Sequence, residues 1–413
     1  MSEREWKRLD VVQRLGRGEL SRAEAATILG VSTRQVRNLV LAIGERGASG
    51  ARHGNTGRAP SNRLDDEVRK RVVAFAHGKY AGFNDQHLTE KLVEVEGLQL
   101  SRPTVQRLLR EAGISSVRKR RPRQHRARRE RKAQAGMMLQ WDGSRHDWLE
   151  GRGPMLCLMG AVDDATGELL PGAHFVEQEC AAGYLRVLYE IAREKGLPQS
   201  IYMDGHGSLK RNDASWTLEE ELRGKQDPTQ VGRALEALGI EPIFALSPQA
   251  KGRIERAWET LQDRLCSELR LAGATNAQQA NAVLERIRPE HNRRFAKPPR
   301  EATSAWRKVA PETDLGRVCA LSYEATVQND NTVRIAGKLL QIPPGPGRKS
   351  YAKARVEVRQ LLDGSWRVYQ RDQVIAVGAA DPLTPLVAHK KRKRSLASRL
   401  WRKGIAGHAA SLP

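Results

Sequence analysis

The chain has 413 residues, 39% of them hydrophobic, with 71 Lys and Arg against 48 Asp and Glu. A formal charge of +23 is the footprint of a protein that meets a polyanion, nucleic acid above all. Four widely spaced cysteines without a C-x-x-C pair exclude a zinc ribbon and a disulfide framework, and no apolar run nears the roughly 18–20 residues of a membrane span. The charged start "MSEREWKRLD" does not read as a signal peptide, so the expected compartment is the cytoplasm, with no membrane partner.

The segment "LSRAEAATILGVSTRQVRNLVLAIGERG" predicts a helix capped by Ser21, with Ala25, Ile28 and Leu29 inward. Gly30 breaks it, and Ser32 caps a second helix with Val36, Leu39, Val40 and Ile43 inward. Helix, tight turn, helix is the helix-turn-helix pattern, giving a DNA-binding domain over 1–47. Its second helix offers Thr33, Arg34, Gln35, Arg37 and Asn38, side chains that read base edges or hold phosphates. Residues 48–62 are rich in Gly, Ser and Pro and read as a linker. Residues 62–116 predict two helices and then a third, capped by Ser101 with Pro103 in its first turn. That third helix presents Arg102, Thr104, Gln106 and Arg107, so this is a second helix-turn-helix-like domain and a second reading head. The run 117–134, "VRKRRPRQHRARRERKAQ", is a basic linker expected to stay extended until it meets phosphate, with Arg120, Arg121 and Arg123 as DNA contacts.

From Met137 the periodicity changes. Over 135–300 it predicts three strands, helix, strand, helix, strand, helix: α/β with a mixed central sheet, in the ribonuclease-H-like order. Past Arg300 short alternating strands predict a small all-β barrel at 312–380, with a hairpin turn at Asp363-Gly364. A basic tail follows at 388–413.

Three carboxylates hold chemically telling places. Asp142 lies inside the strand "LQWDGS", Asp204 ends the strand "IYMDGHG", and Glu255 opens the helix of "SPQAKGRIERAWETLQDRL". Strand ends and the helix beside them can converge, and three carboxylates meeting there repel one another unless divalent cations bind. Hard oxygen ligands suit Mg²⁺ or Mn²⁺, and two such ions would clamp the attacking and leaving oxygens of a phosphoryl transfer. Ile254, Trp258, Leu261, Leu265 and Leu269 form the apolar stripe of the last helix, with Glu255 at its edge. Lys251 and Arg253 flank Glu255 as candidate DNA contacts, with Gln262 two turns on along the same side. Asp163 and Asp164 read as the start of a turn, Asp147 and Glu150 as surface, and His206 as a loop histidine or DNA contact.

The stretches "QWDGSRHDW", "IYMDGHGSLK" and "SPQAKGRIERAWETLQDRL" resemble the three motifs of the DDE transposases of bacterial insertion sequences, of the ISNCY-like group within the retroviral-integrase superfamily. The resemblance implies that Asp142, Asp204 and Glu255 are catalytic and metal-binding. It implies a bacterial, nucleoid-associated enzyme that works with two Mg²⁺ ions (or Mn²⁺). Such an enzyme binds double-stranded DNA at the element's terminal inverted repeats and at the target, cleaves and joins strands, and assembles as a homo-oligomer on DNA. Two departures stand out: the interval from Asp204 to Glu255 is lengthened by a polar insert at about 208–229, and Trp258 occupies a place where a small polar residue is usual. The helix-turn-helix units replace the front zinc module of integrases. The alternative is a DNA-binding regulator or inactive relic, which would not need the trio. A ribonuclease-H-like nuclease acting on hybrids would not need two reading heads.

Overall fold

The computed structural model describes residues 1–57, 63–117, 129–211, 216–244, 252–335, 337–345, 347, 350–381 and 383. Arg120, Arg121, Arg123, Lys251 and the basic tail lie outside the described residues. The chain divides into two compact units, 1–71 and 72–413.

In the first unit, α1 (Glu3–Gly16), α2 (Arg22–Leu29) and α3 (Thr33–Arg46) pack around Val11, Ala25, Ala26 and Val36. Ser21 and Ser32 cap α2 and α3 as predicted, and each works in a full capping box with Glu24 or Gln35. Gly30 takes the left-handed conformation (φ 64°) that ends α2. The sequence reading missed α1, which opens with a third capping box from Ser2 and Glu5. Two inward assignments are corrected: Ile28 and Val40 are exposed, and Ala26 is buried instead. The side chain of Ala26 is short enough to let α1 approach. The predicted linker also begins later than 48. A 3-10 turn, Gly47–Ala51, folds back, with the Arg8 guanidinium donating to the Ala51 carbonyl at 3.3 Å and Ala51 fully buried.

Helix α4 (Asp66–His77) crosses the boundary, and α5 (Asp85–Glu94) and α6 (Arg102–Glu111) belong to the second unit. The sheet of that unit is built from β1 (Met138–His146), β2 (Leu156–Asp163), β3 (His174–Val176), β4 (Ser200–Met203) and β5 (Glu241–Phe244). Its order is β3-β2-β1-β4-β5, antiparallel through β1 and parallel from β1 to β5, so the mixed sheet is as expected. Strand alternation sends Leu139 and Trp141 to one face, under α7 (Ala181–Glu194) and α9 (Gln230–Ala237). Gln140, Asp142 and Ser144 point to the other face, which carries α10 (Gly252–Leu271) and α11 (Ala277–Phe295). All five residues of the predicted α10 stripe are buried there, and α11, which the sequence reading missed, closes that core with Ala280, Val283 and Leu284. Within the polar insert, α8 (Leu218–Arg223) is capped by Thr217 and pinned by buried Glu220, which pairs with Arg211 and accepts from the Asp227 amide.

The face of α5 is bonded to α10 and α11. His87 and Lys91 meet Glu268, while Glu90 takes Arg264 and Arg294. Helices α5 and α6 are therefore part of the core-bearing unit, with Arg102, Gln106 and Arg107 of α6 exposed and Thr104 half-buried.

After the short α12 (Leu315–Val318) come β6 (Leu321–Thr326), β7 (Thr332–Ile335), β8 (Lys338–Gln341), β9 (Arg355–Gln360), β10 (Trp366–Gln370) and β11 (Gln373–Gly378). The all-β expectation is met by two sheets, β11-β10-β9-β6 and the hairpin β7-β8, around Val333, Leu340, Val358, Trp366 and Val368. Among the described residues no ladder of hydrogen bonds joins them into a closed barrel. Gly364, at the predicted turn between β9 and β10, has φ 86°.

Candidate active site

The site grows from one matched ladder between β1 and α10. Two strand residues advance about 6.6 Å and four helical residues about 6 Å, so i, i+2, i+4 on one can meet i, i+4, i+8 on the other. The Gln140 side-chain oxygen accepts from the Ile254 amide (3.2 Å), Asp142 Oδ2 accepts from Trp258 Nε1 (3.2 Å), and Gln262 Nε2 donates to Ser144 Oγ (3.1 Å). Trp258 is thus both core and polar partner: its ring fills the apolar stripe and its one donor holds Asp142. Gln262, read as a possible DNA holder, is engaged inside the protein.

Strand pairing sets the second aspartate. β1 and β4 run parallel in the register Met138↔Ser200, Leu139↔Ile201, Gln140↔Tyr202. Two residues on along each strand come Asp142 and Asp204, level with one another and both half-buried. Asp204 Oδ1 accepts from the His206 amide at 3.0 Å, closing the turn after the strand. Tyr184, buried on α7, feels both aspartates: burial first, then Glu179, Asp142 and Asp204, push its hydroxyl far above the ordinary range. The Cys157 thiol, on β2 opposite Arg145, is raised to about 12 by burial and then by Glu179 and Asp142.

Glu255 is exposed at the start of α10, on the row that continues through Trp258 and Gln262, the row facing β1. The register therefore sets Asp142, midway along β1, level with Asp204 just past the end of β4, while Glu255 stands on the α10 row that faces β1. Among the described residues, no three His, Cys, Asp or Glu side chains are arranged as a group that could hold a metal ion. The donors themselves, carboxylate oxygens on β1 and just past the end of β4, fit a hard divalent cation.

Other candidates resolve differently. Asp163 and Asp164 are buried structural acceptors. Asp163 takes the amides of Gly136, Ala165 and Thr166. Asp164 takes Arg129, the Lys132 amide, Gln140 and Arg253. Arg253, expected to touch DNA, instead spends its guanidinium on Asp164 (2.9 Å) and on the Arg129 carbonyl (3.0 Å). In the first unit Thr33, Arg34, Gln35, Arg37 and Asn38 are exposed, with the Gln35 side chain returned to the Ser32 amide at 3.1 Å. Sequence reasoning missed Glu179, Tyr184 and Gln140. Glu179 sits in "VEQEC", where nothing local separates it from a surface acid.

A family model described as winged helix-turn helix matches residues 8–70, reaching past the expected boundary at 47. Over 397 residues the chain is 35% identical to a putative transposase of Sinorhizobium fredii, a match covering 92% of this chain and 84% of the relative. The chain belongs to the transposase family. A transposase for an insertion sequence of Streptococcus pneumoniae is 28% identical to this transposase chain, covering 87% of it and 83% of the relative. Among solved structures, the catalytic core domain of BIV integrase aligns at 16% identity and a TM-score of 0.27, over 36% of this chain and 82% of its own. The HTLV-2 integrase catalytic core domain in complex with magnesium aligns at 14% identity and 0.26, over 38% and 88%. No helix of this transposase is long and apolar enough to cross a membrane, among the described residues.

Proposed function

We propose that this transposase is a DDE enzyme of the ribonuclease-H-like kind, binding the terminal inverted repeats of an insertion sequence and catalysing DNA strand cleavage and strand transfer. The observation that supports the proposal is the β1–β4 register, which, carried on by two residues, sets Asp142 in mid-β1 level with Asp204 just past β4, with Glu255 on the α10 row that faces β1. Asp142, Asp204 and Glu255 would hold two divalent cations, Mg²⁺ or Mn²⁺. When bound, such ions stabilise the charge that develops on the attacking and leaving oxygens of a phosphodiester. The chain's own contribution is preorganisation: Trp258 Nε1 fixes the Asp142 carboxylate, and the His206 amide fixes that of Asp204. DNA is gripped through the exposed face of α3, through Arg102, Gln106 and Arg107 on α6, and through the basic run at 117–134, acting with a second copy of the chain on the DNA. Lys251 and Arg253 also flank this site in the sequence, but with Arg253 committed to Asp164 the contact falls to Lys251.

The test is an end-cleavage and strand-joining assay on the repeats flanking the element, with Mg²⁺, using wild type, Asp142→Asn and Asp204→Asn. Wild type should cut and join while both variants bind the repeats and do neither. Cleavage by either variant at the wild-type rate contradicts the assignment.

A further inference from the structure

Two glycines of the turn that carries Asp204 stand in open space. A Cβ placed on Gly205 or Gly207 would meet no atom within 4 Å. Between those glycines His206 supplies an anchor: its Nδ1 lies 3.2 Å from Glu179 Oε1. The same oxygen accepts from the Tyr184 hydroxyl at 2.6 Å. The Tyr184 ring stacks on Trp141 with centroids 5.4 Å apart and planes 20° from parallel, and Trp141 immediately precedes Asp142. On the far side Gly143 makes room, since a Cβ there would stand 2.7 Å from Glu179 Oε2. Glu179 therefore touches both halves of the site. It meets β1 at Gly143 and, through Tyr184, at Trp141; it meets the turn after β4 through His206.

We propose that Glu179 is a positioning residue of the site, with Tyr184 holding it and His206 passing its hold to the Asp204 turn. The inference rests on the reading of Asp142 and Asp204 as a cation seat. A side chain that orients a ligand-bearing segment through hydrogen bonds acts on metal affinity as well as on rate, typically by about 10–100-fold. It does so through its acceptor oxygen, so an amide in its place keeps much of the function, because a glutamine oxygen still accepts from a tyrosine hydroxyl.

The experiment titrates Mn²⁺ alone into the full chain, read by the electron paramagnetic resonance of free Mn²⁺, with thermal unfolding recorded for each variant. Glu179→Ala should weaken Mn²⁺ binding by about 10-fold or more. Glu179→Gln should regain most of that loss. Tyr184→Phe, which keeps the ring on Trp141, should weaken binding in the same direction, and it carries the test if Glu179→Ala does not fold. Wild-type affinity in Glu179→Ala or in Tyr184→Phe overturns the inference. So does a Glu179→Gln as weak as Glu179→Ala, because charge rather than hydrogen bonding would then be what Glu179 supplies. Asp204→Asn separates the two levels of the argument. If it binds Mn²⁺ like wild type, the cation seat itself is wrong. If it loses binding while Glu179→Ala keeps it, only the role of Glu179 falls.

Discussion

Glu268, on the inner face of α10, ties α5 to the helical layer that covers this face of the sheet. Its carboxylate is 6% exposed, lies 2.8 Å from His87 Nε2 and also meets Lys91 on α5. Burial alone would raise its pKa, but the hydrogen bonds from His87 and Lys91 outweigh it and hold the group at about 2, against an ordinary 4.5. A depressed carboxylate contributes stability that is fully present above the unfolded value and is lost as pH falls through the folded one. A difference of 2.5 units (4.5 − 2) at about 1.4 kcal/mol each gives about 3 kcal/mol at pH 7, falling to about 1 kcal/mol at pH 3. Glu268→Gln should therefore destabilise the unit at 72–413 by about 3 kcal/mol at neutral pH and by about a third of that at pH 3. Urea denaturation followed by tryptophan fluorescence reads it, since every tryptophan but Trp6 lies beyond residue 71. A loss that is the same at pH 7 and pH 3, or one below about 0.5 kcal/mol at pH 7, would refute the reasoning, because that is the size of an ordinary surface change.

Three further outcomes follow from the same structure. Trp258→Phe keeps a ring in the apolar stripe and removes the donor to Asp142; Tm should shift by only a few degrees while the single-turnover cleavage rate falls, and an unchanged rate would contradict the role given to Nε1. Arg34→Ala should cost about 1–3 kcal/mol of affinity for terminal-repeat DNA and less for unrelated DNA, measured by titration at fixed salt; equal losses on both would make Arg34 a phosphate contact. Replacing Arg120, Arg121, Arg123 and Arg126 by Ala should lower the slope of log K against log salt by about 0.9 for each phosphate no longer neutralised, with specific and unrelated DNA weakened alike; altered base preference with an unmoved slope would make the run a reader.

What the sequence disclosed was what periodicity and capping carry. Ser21, Ser32 and Ser101 cap the helices expected of them, and the stripe from Ile254 to Leu269 buries as its 3.6-residue spacing requires. Alternation in "MMLQWDGS" likewise places Asp142 on the face opposite Trp141. What stayed hidden depends on partners far along the chain. The α5–α10 charge network joins residues about 180 positions apart, and no local pattern marks it. The pair Asp163 and Asp164 reads as a turn because Asp and Gly favour turns, and only the approach of Arg129, Gln140 and Arg253 makes Asp164 a buried hub, as that of the Gly136 amide does for Asp163. Helix α11 was obscured by Pro289 in its interior, a residue that normally ends a helix. Helix α1 was legible in principle, through the Ser2–Glu5 capping box, but its buried stripe is only Val11 and Val12 amid charge.

The most direct test of the account falls on Glu255, the member of the trio that stands on a helix rather than on the sheet. Single-turnover cleavage of terminal-repeat DNA in Mg²⁺ should be abolished by Glu255→Gln, with DNA binding by the same sample retained, because the substitution keeps the shape and removes the anionic oxygen. Cleavage by Glu255→Gln at close to the wild-type rate would remove Glu255 from the site and contradict the DDE assignment.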